Sequence, residues 1–301
     1  MTRHSVVCFG EILWDLLPSG AKPGGAPMNV AFHLKKLHLN PAVISRVGQD
    51  AHGDKLLQLL HNDNITTDYI QKDNLHPTGI VKAYLNEKAE ASYDIVQPVA
   101  WDFIEAHEDL KNLVTDAEFF VFGSLASRNE TSRNTLFQLL EKAKTKVLDI
   151  NLRQPHYTQA GVKTLLQQCQ VLKINDQELN LISHWYKDLD TIEDQMALLQ
   201  DKFGIETIVT TCGSNGARMN RMGETVAHNG FKVVVKDTVG SGDAFLAALI
   251  YKFQEGSPAA EALAFANGLG AFIASCEGAC PAYEGEIVVK NISTPLNESS
   301  L

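Results

Sequence analysis

The sequence predicts an α/β protein: a doubly wound, mainly parallel sheet with helices on both faces, plus a small β lid. Three observations carry that prediction. Strand patterns alternate with helical patterns over most of the chain, polar residues gather where strands end, and one stretch interrupts the alternation with a hairpin. With 301 residues, 45% hydrophobic and 21% charged, the chain can bury about 75% of its unfolded surface. It reads as a single domain over residues 1–301, with lid insertions at about 12–23 and 76–98.

Val6-Val7-Cys8-Phe9-Gly10 reads as a buried strand running into Glu11 to Leu17, which places Asp15 just past a strand end. There it is either a turn carboxylate or a hydrogen-bond acceptor in a partly apolar pocket. Lys22 to Asn29 then turns into a helix, with Val30, Ala31, Leu34 and Leu37 at helical spacing and Pro27 in the first turn, where its missing N–H costs nothing. Gly24-Gly25 offers bare backbone to a ligand, and Asn29 either caps the helix or contacts that ligand. Ala42 to Gly48 is the next strand and Lys55 to His61 the next helix. Thr78 to Leu85 and Ser92 to Val96, joined by the polar turn Asn86 to Glu90, form a hairpin with no helix between its strands. Such an insertion is a candidate lid over a site.

The alternation resumes after Trp101. Glu118–Phe122, Lys146–Ile150, Val171–Ile174 and Glu206–Thr210 read as strands. Glu130–Lys142, Gly161–Cys169, Gln177–Ile182 and Ile192–Phe203 read as helices. Ala217–Met222 and Thr225–His228 suggest a second hairpin, Val233-Val234-Val235 a further strand, and Asp243–Phe253 and Pro258–Ala274 the last helices.

Several strand ends carry polar clusters: Asp149-Ile150-Asn151-Leu152-Arg153, then Lys173-Ile174-Asn175-Asp176-Gln177-Glu178, then Thr211-Cys212-Gly213-Ser214-Asn215-Gly216. In a parallel sheet all of these fall on the carboxyl edge, where open α/β sheets bind ligands. Asn175 and Glu178 stand three apart, near enough to act through shared waters or a cation.

The chain is organised around Asp237-Thr238-Val239-Gly240-Ser241-Gly242-Asp243, which opens a helix. Free N–H groups at a helix start suit a phosphate or a developing oxyanion. Asp243 would repel a bound phosphate, so it either caps the helix or takes a proton from an attacking hydroxyl, with a metal ion offsetting the charge. For an isolated Gly-x-Gly-Asp the cap is the commoner outcome. No Gly-x-x-x-x-Gly-Lys-Ser/Thr occurs, and Phe245 stands where a dinucleotide fingerprint needs its third glycine, which disfavours P-loop and nicotinamide enzymes.

A net charge of −10 without a basic run argues against nucleic acid and anionic membrane surfaces and leaves a small molecule as partner. No run of 18 apolar residues and no signal-peptide pattern occurs, so the expectation is a soluble, cytoplasmic protein. Cys8, Cys169, Cys212, Cys276 and Cys280 read as free thiols.

Two stretches, Gly24-Gly25-Ala26-Pro27-Met28-Asn29-Val30-Ala31 and Asp237 to Phe245, resemble the PfkB, or ribokinase-like, carbohydrate kinases, with fructokinases nearest. Weaker support comes from Val47-Gly48-Gln49-Asp50, Asn151-Leu152-Arg153, Lys173-x-Asn175-x-x-Glu178 and Thr211-x-Gly213-x-x-Gly216. The resemblance covers Gly10 to about Ala282. It implies a ribokinase-like fold and transfer of the γ-phosphoryl group of ATP to a primary hydroxyl of a sugar, fructose first. It implies Asp243 as base and the amides of Gly240, Ser241 and Gly242 as an anion hole. Asp15, Gly25, Asn29 and Arg153 would hold the sugar. Lys173, Asn175, Thr211, Gly213, Gly216 and Asn267 would line the nucleotide site. Glu178, with Asn175, would organise Mg²⁺ through water, and Asp237 would help bind a monovalent cation such as K⁺. The lid is in some relatives a dimer contact, so a homodimer is among the partners the resemblance allows. Tyr157 stands where such relatives often carry Trp, and Met28 where a smaller residue is usual. These departures bear on the choice of sugar, with 2-keto-3-deoxygluconate, ribose or a nucleoside as the alternatives. A non-catalytic sensor on the same fold would tolerate loss of the base or the glycine turn, and this chain keeps both.

Overall fold

The computed structural model describes residues 4–17, 20–85 and 91–285. The first strand, β1 (Val6–Phe9), is followed by β2 (Leu13–Leu17), β3 (Gly20–Gly24), α1 (Ala26–Lys36), β4 (Pro41–Gly48), α2 (Ala51–Asn62) and β5 (Ile70–Asp73). The hairpin β6 (Gly79–Leu85) and β7 (Ala91–Ile95) leads through α3 (Glu108–Asp116) to β8 (Phe119–Gly123), α4 (Glu130–Leu140), β9 (Thr145–Asp149), α5 (Gln159–Leu166) and β10 (Val171–Asn175). The chain continues through α6 (Asp176–Ser183), α7 (Ile192–Phe203), β11 (Thr207–Thr211), the hairpin β12 (Ala217–Arg221) and β13 (Glu224–His228), then α8 (Ser241–Gln254) and α9 (Ala259–Ala274).

Nine strands form the main sheet in the order β13-β12-β11-β10-β9-β8-β1-β4-β5. Every neighbouring pair from β11 to β5 is parallel, and the pairs β11–β12 and β12–β13 are antiparallel. Side chains alternate across β1. Val7 and Phe9 join Phe120, Phe122, Leu148 and Leu172 on the face covered by α3 to α7, while Val6 and Cys8 join Val43, Val121, Val147 and the apolar residues of α1 and α8 on the other. Burial on both faces explains why these strands read as continuous apolar runs. The strand order reverses between β1 and β8, so the chain segments leaving these two strands diverge and open a crevice at the carboxyl edge.

The interrupting hairpin belongs to a second sheet, ordered β3-β2-β6-β7, in which β2 and β6 run parallel. Asp15 therefore lies inside a strand of this small sheet, opposite Lys22 on β3 and Val81 on β6, and not in a loop beyond β1. The hairpin tip 86–90 and the side chains of Tyr84 and Tyr93 lie outside the described residues.

One expected strand is absent. Val233 to Val235 has no ladder, and Val234 is 83% and Val235 59% exposed. The sheet ends at β13, and this segment is instead held to α9, where the amides of Lys236 and Asp237 both donate to Ala274 O. Strand β5 and helix α3 are additions to the sequence reading. Leu110, Leu113 and Val114 of α3 are buried at helical spacing, a signal present in the sequence.

Candidate active site

At the switch point lies a cleft of about 700 Å³, walled by the small sheet on one side and the head of α8 on the other. Asp15, Gly25, Asn29, Arg153, Lys173 and Asp243 all line it, so residues spread over more than 200 positions converge on one space.

Helix α8 begins at Gly240, whose φ of 78° is left-handed and which has no side-chain cap. A Cβ there would lie 2.5 Å from Ala279 Cα, so glycine alone fits. The Ser241 amide reaches Thr238 O at 3.3 Å and the Ala244 amide bonds Gly240 O. The amides of Gly242 and Asp243 are left at the helix head without an intrahelical acceptor, as geometry requires of a first turn. Ser241 contributes its amide only, because its hydroxyl donates to Gly270 O of α9 at 2.9 Å.

Asp243 does not cap its helix. Its Oδ2 accepts from Asn29 Nδ2 at 2.8 Å, and Cys280 Sγ donates to Asn29 Oδ1 at 3.3 Å. Asn29 is 4% exposed on the first turns of α1, so it fixes the carboxylate rather than capping its own helix. Burial, reinforced by the Asp149 carboxylate, pushes the Asp243 carboxyl up to about 6, against the opposing pull of Lys173, Asn29 and Arg153. It is thus mostly ionised at neutral pH and able to accept a proton. Lys173 lies directly beneath, since a Cβ on Gly242 would come 3.0 Å from its Nζ. The ammonium is held by both Asp149 oxygens, at 3.0 and 2.9 Å. Burial works against its charge, and the carboxylates of Asp149, Asp243 and Glu178 more than offset that, keeping the pKa raised. Expected among the nucleotide residues, Lys173 lines the cleft beneath Gly242.

On the opposite wall, Asp15 faces the cleft across from Arg153. Burial raises its pKa and Arg153 partly reverses the effect. At Gly25, φ is 113° and a Cβ would collide with Glu11 O, which explains the paired glycines before α1. Glu11 is a residue the sequence reading passed over. It is 5% exposed, lines the cleft, leaves Oε2 without a hydrogen-bond partner, and is pushed by burial to about 7. Its position just past β1, at the carboxyl edge, was the available signal.

The remaining expected residues have other visible duties. Asn175 is the cap of α6 and not a residue of its face: its Oδ1 accepts the Glu178 amide at 2.8 Å, and Glu178 returns the bond from Asn175 N–H at 3.1 Å. The other Glu178 oxygen accepts Leu152 N–H at 2.7 Å, so this carboxylate ties the β9 loop to α6. Thr211 is paired with Asn175 across β10 and β11, and Gly213 and Gly216, both at positive φ, form the turn that follows. These residues share a strand-end neighbourhood next to the cleft but do not line it. Asp237 lines the cleft, with its oxygens accepting the amides of Val239 and Gly278. Asn267 is not brought to the cleft. It is 7% exposed and donates to Leu263 O within α9.

A doubly wound sheet with a four-stranded lid and an acid at a glycine-led helix head is the architecture of the ribokinase-like kinases. A fructokinase from Xylella fastidiosa superposes with a TM-score of 0.85 at 20% identity, covering 96% of this chain and 99% of that one. A fructokinase from Vibrio cholerae O395 superposes at 0.79 with 25% identity, covering 94% and 96%. In sequence, the chain is 28% identical over 306 residues to probable fructokinase-5 of Arabidopsis thaliana, covering 92% of this chain and 93% of the relative, and 27% identical to fructokinase-1 of Oryza sativa subsp. japonica, covering 94% and 96%. The family model for pfkB carbohydrate kinases matches residues 5–284, and the chain belongs to that family.

Proposed function

We propose that this carbohydrate kinase transfers the γ-phosphoryl group of ATP to a primary hydroxyl of fructose. The observation that carries the reading is Asp243, oriented by Asn29, facing the cleft beside unpaired main-chain amides. Its carboxylate takes the hydroxyl proton as the oxygen attacks, a step worth about 10²–10⁴ in rate. The amides of Gly240, Ser241 and Gly242, with Lys173 beneath, stabilise charge on the passing group, and each good donor contributes about 10²–10³. Asp15, Arg153 and the Gly25 backbone hold the sugar. The strand-end turn of Thr211, Gly213 and Gly216 takes the nucleotide.

Among the described residues no group of three or more His, Cys, Asp or Glu side chains could grip a metal. That donor set suits Mg²⁺ carried on nucleotide phosphates and keeping most of its water, with Glu178 in its outer shell. When bound, the ion would neutralise phosphate charge. Fructose is supported by the fructokinases among the relatives, one of which was solved with fructose, ADP and potassium, and a K⁺ beside Asp237 fits that setting. A cytoplasmic enzyme that dimerises through the lid completes the proposal. No helix among the described residues is long and apolar enough to cross a membrane. The test is ADP release measured with fructose, other hexoses, 2-keto-3-deoxygluconate, ribose and nucleosides, with and without K⁺. A kcat/KM highest for fructose supports the assignment, and a sugar acid or nucleoside preferred by tenfold or more overturns it.

A further inference from the structure

A second cavity, of about 520 Å³, shares Ser124 with the groove beneath Glu11 and Asn151. Arg128, Arg133 and Phe137 line it on one side, and His156, Tyr157 and the first turn of α5 on the other. No Asp or Glu contributes to its lining, in a chain whose net charge is −10. The carboxylates that act on this lining, Asp102 and Asp94, stand behind it, and Asp102 is paired with Arg128.

The two guanidiniums differ. Arg128 is fully engaged: it donates to both Asp102 oxygens at 2.7 and 2.8 Å and to Val96 O at 2.8 Å, and it lies over the Trp101 ring. Arg133 donates through Nη1 to Ser127 O at 3.2 Å and pairs with no carboxylate among the described residues. The uncompensated charge in the cavity is its own. Burial, assisted by Arg128, lowers the His156 pKa and leaves that ring a neutral hydrogen-bonding group. Opposite, Thr158 Oγ1 satisfies the Gly161 amide at 3.0 Å, while the amides of Gln159 and Ala160 remain at the head of α5 without intrahelical acceptors.

We propose that this cavity binds a small phosphate monoester, with the phosphate between Arg133 and the head of α5 and the carbon body against Phe137 and Tyr157. A forked guanidinium facing helix amides matches a phosphate in charge and geometry, and the volume is that of a small-molecule site. The cavity is joined to the main cleft by one loop. Asn151, at a left-handed φ of 36°, and Arg153 line the cleft, while His156 to Thr158 line the cavity.

The test is hydrogen exchange on the intact protein, titrated separately with glucose 6-phosphate, inorganic phosphate and glucose. Glucose 6-phosphate is expected to protect the amides of residues 155–164, phosphate alone to do so more weakly, and glucose not at all. Arg133→Gln should weaken that protection at least about tenfold, the loss of one charge-assisted hydrogen bond. Ala160→Asp, at an exposed position, should do the same by repulsion and serves if the first variant folds poorly. Equal protection by glucose, protection unchanged in both variants, or protection confined to residues 237–243 overturns the proposal. No turnover is read, so failure here leaves the kinase assignment untouched.

Discussion

The helices of this chain start in different ways. Helices α2, α4, α5, α6 and α7 are each capped by a side chain, from Asp50, Asn129, Thr158, Asn175 and Thr191, which satisfies a first-turn amide at once. Helices α3 and α9 start at His107 and Pro258 without a side-chain cap, and α1 and α8, also without one, start at Gly25 and Gly240, the only two of these starts led by a positive-φ glycine. The two glycine-led helices meet at the Asn29–Asp243 hydrogen bond and line the cleft. A protein built only for stability would cap all of these. Where a glycine-led start leaves amides free at the edge of a cleft, a ligand is expected to supply the missing acceptor.

The sharpest way to break the comparison is at the acid itself. Asp243→Ala should lower turnover about 10²–10⁴-fold while calorimetry shows sugar and ATP affinities within a few-fold of wild type. Turnover near wild type would remove the base. Next in size is Gly240→Ala, where the left-handed backbone and the collision with Ala279 act together. We expect a loss of about 10² in kcat and roughly 1–3 kcal/mol of stability. Gly204, also left-handed at the end of α7 but with nothing within 4 Å of an added Cβ, is the control. Gly204→Ala should cost about 1 kcal/mol and leave kcat unchanged. Equal kinetic effects at the two glycines would show that the α8 turn serves folding alone.

A subtler test uses protons. With Asp243 as the proposed base, turnover requires its ionised form, so kcat/KM should fall as pH drops through about 6. Asn29→Ala removes a bond that stabilises the ionised form, so the acid limb should move to higher pH, a response that a merely structural asparagine would not give. Stability should run the other way. Because the folded-state pKa lies above the ordinary 3.8, the folded state binds the extra proton between about pH 4 and 6, and stability falls as pH rises through that window. Asp243→Asn should therefore unfold at a higher temperature than wild type at pH 8, with the gap closing by pH 4. No gap at pH 8 would mean that the ionised carboxyl is well solvated.

Much of this was legible in the sequence. Parallel strands buried on both faces write themselves as apolar runs, and helices that pack one face write a 3.6 period, so the alternation from β8 to β11 was plain. The two glycine-led starts were visible because only glycine fits those backbones. What sequence does not record is partnership in space. Asp243, taken by its local sequence alone, read more readily as a cap until Asn29, 214 positions away, was seen to hold it. Lys173 looked like a nucleotide residue because its contact with Gly242 depends on how α8 lies over β10. Asn175 and Glu178 suggested a cation, and a capping box uses the same residue types at the same spacing, so sequence alone did not show that both side chains also bond the local backbone. The Val233–Val235 run failed for a related reason. Short apolar runs carry no periodicity, and only the finished sheet shows that no strand was left to pair with.

The smallest effect tests the other half of the comparison. Thr191 caps α7 far from the cleft lining, accepting the Asp194 amide at 3.1 Å while its hydroxyl donates to Asp194 Oδ2 at 2.7 Å. Thr191→Ala should cost about 1 kcal/mol, a drop in melting temperature of a few degrees at most, with kcat and KM unchanged. Introducing a cap where the chain omits one should do the reverse. Gly25→Asp would offer the α1 amides an acceptor, but Glu11 O blocks its Cβ and its charge would face Asp243, so activity should be lost before any stability is gained. A stabilised and active Gly25→Asp enzyme would show that the bare helix start is an accident of the fold and not a provision for ligand.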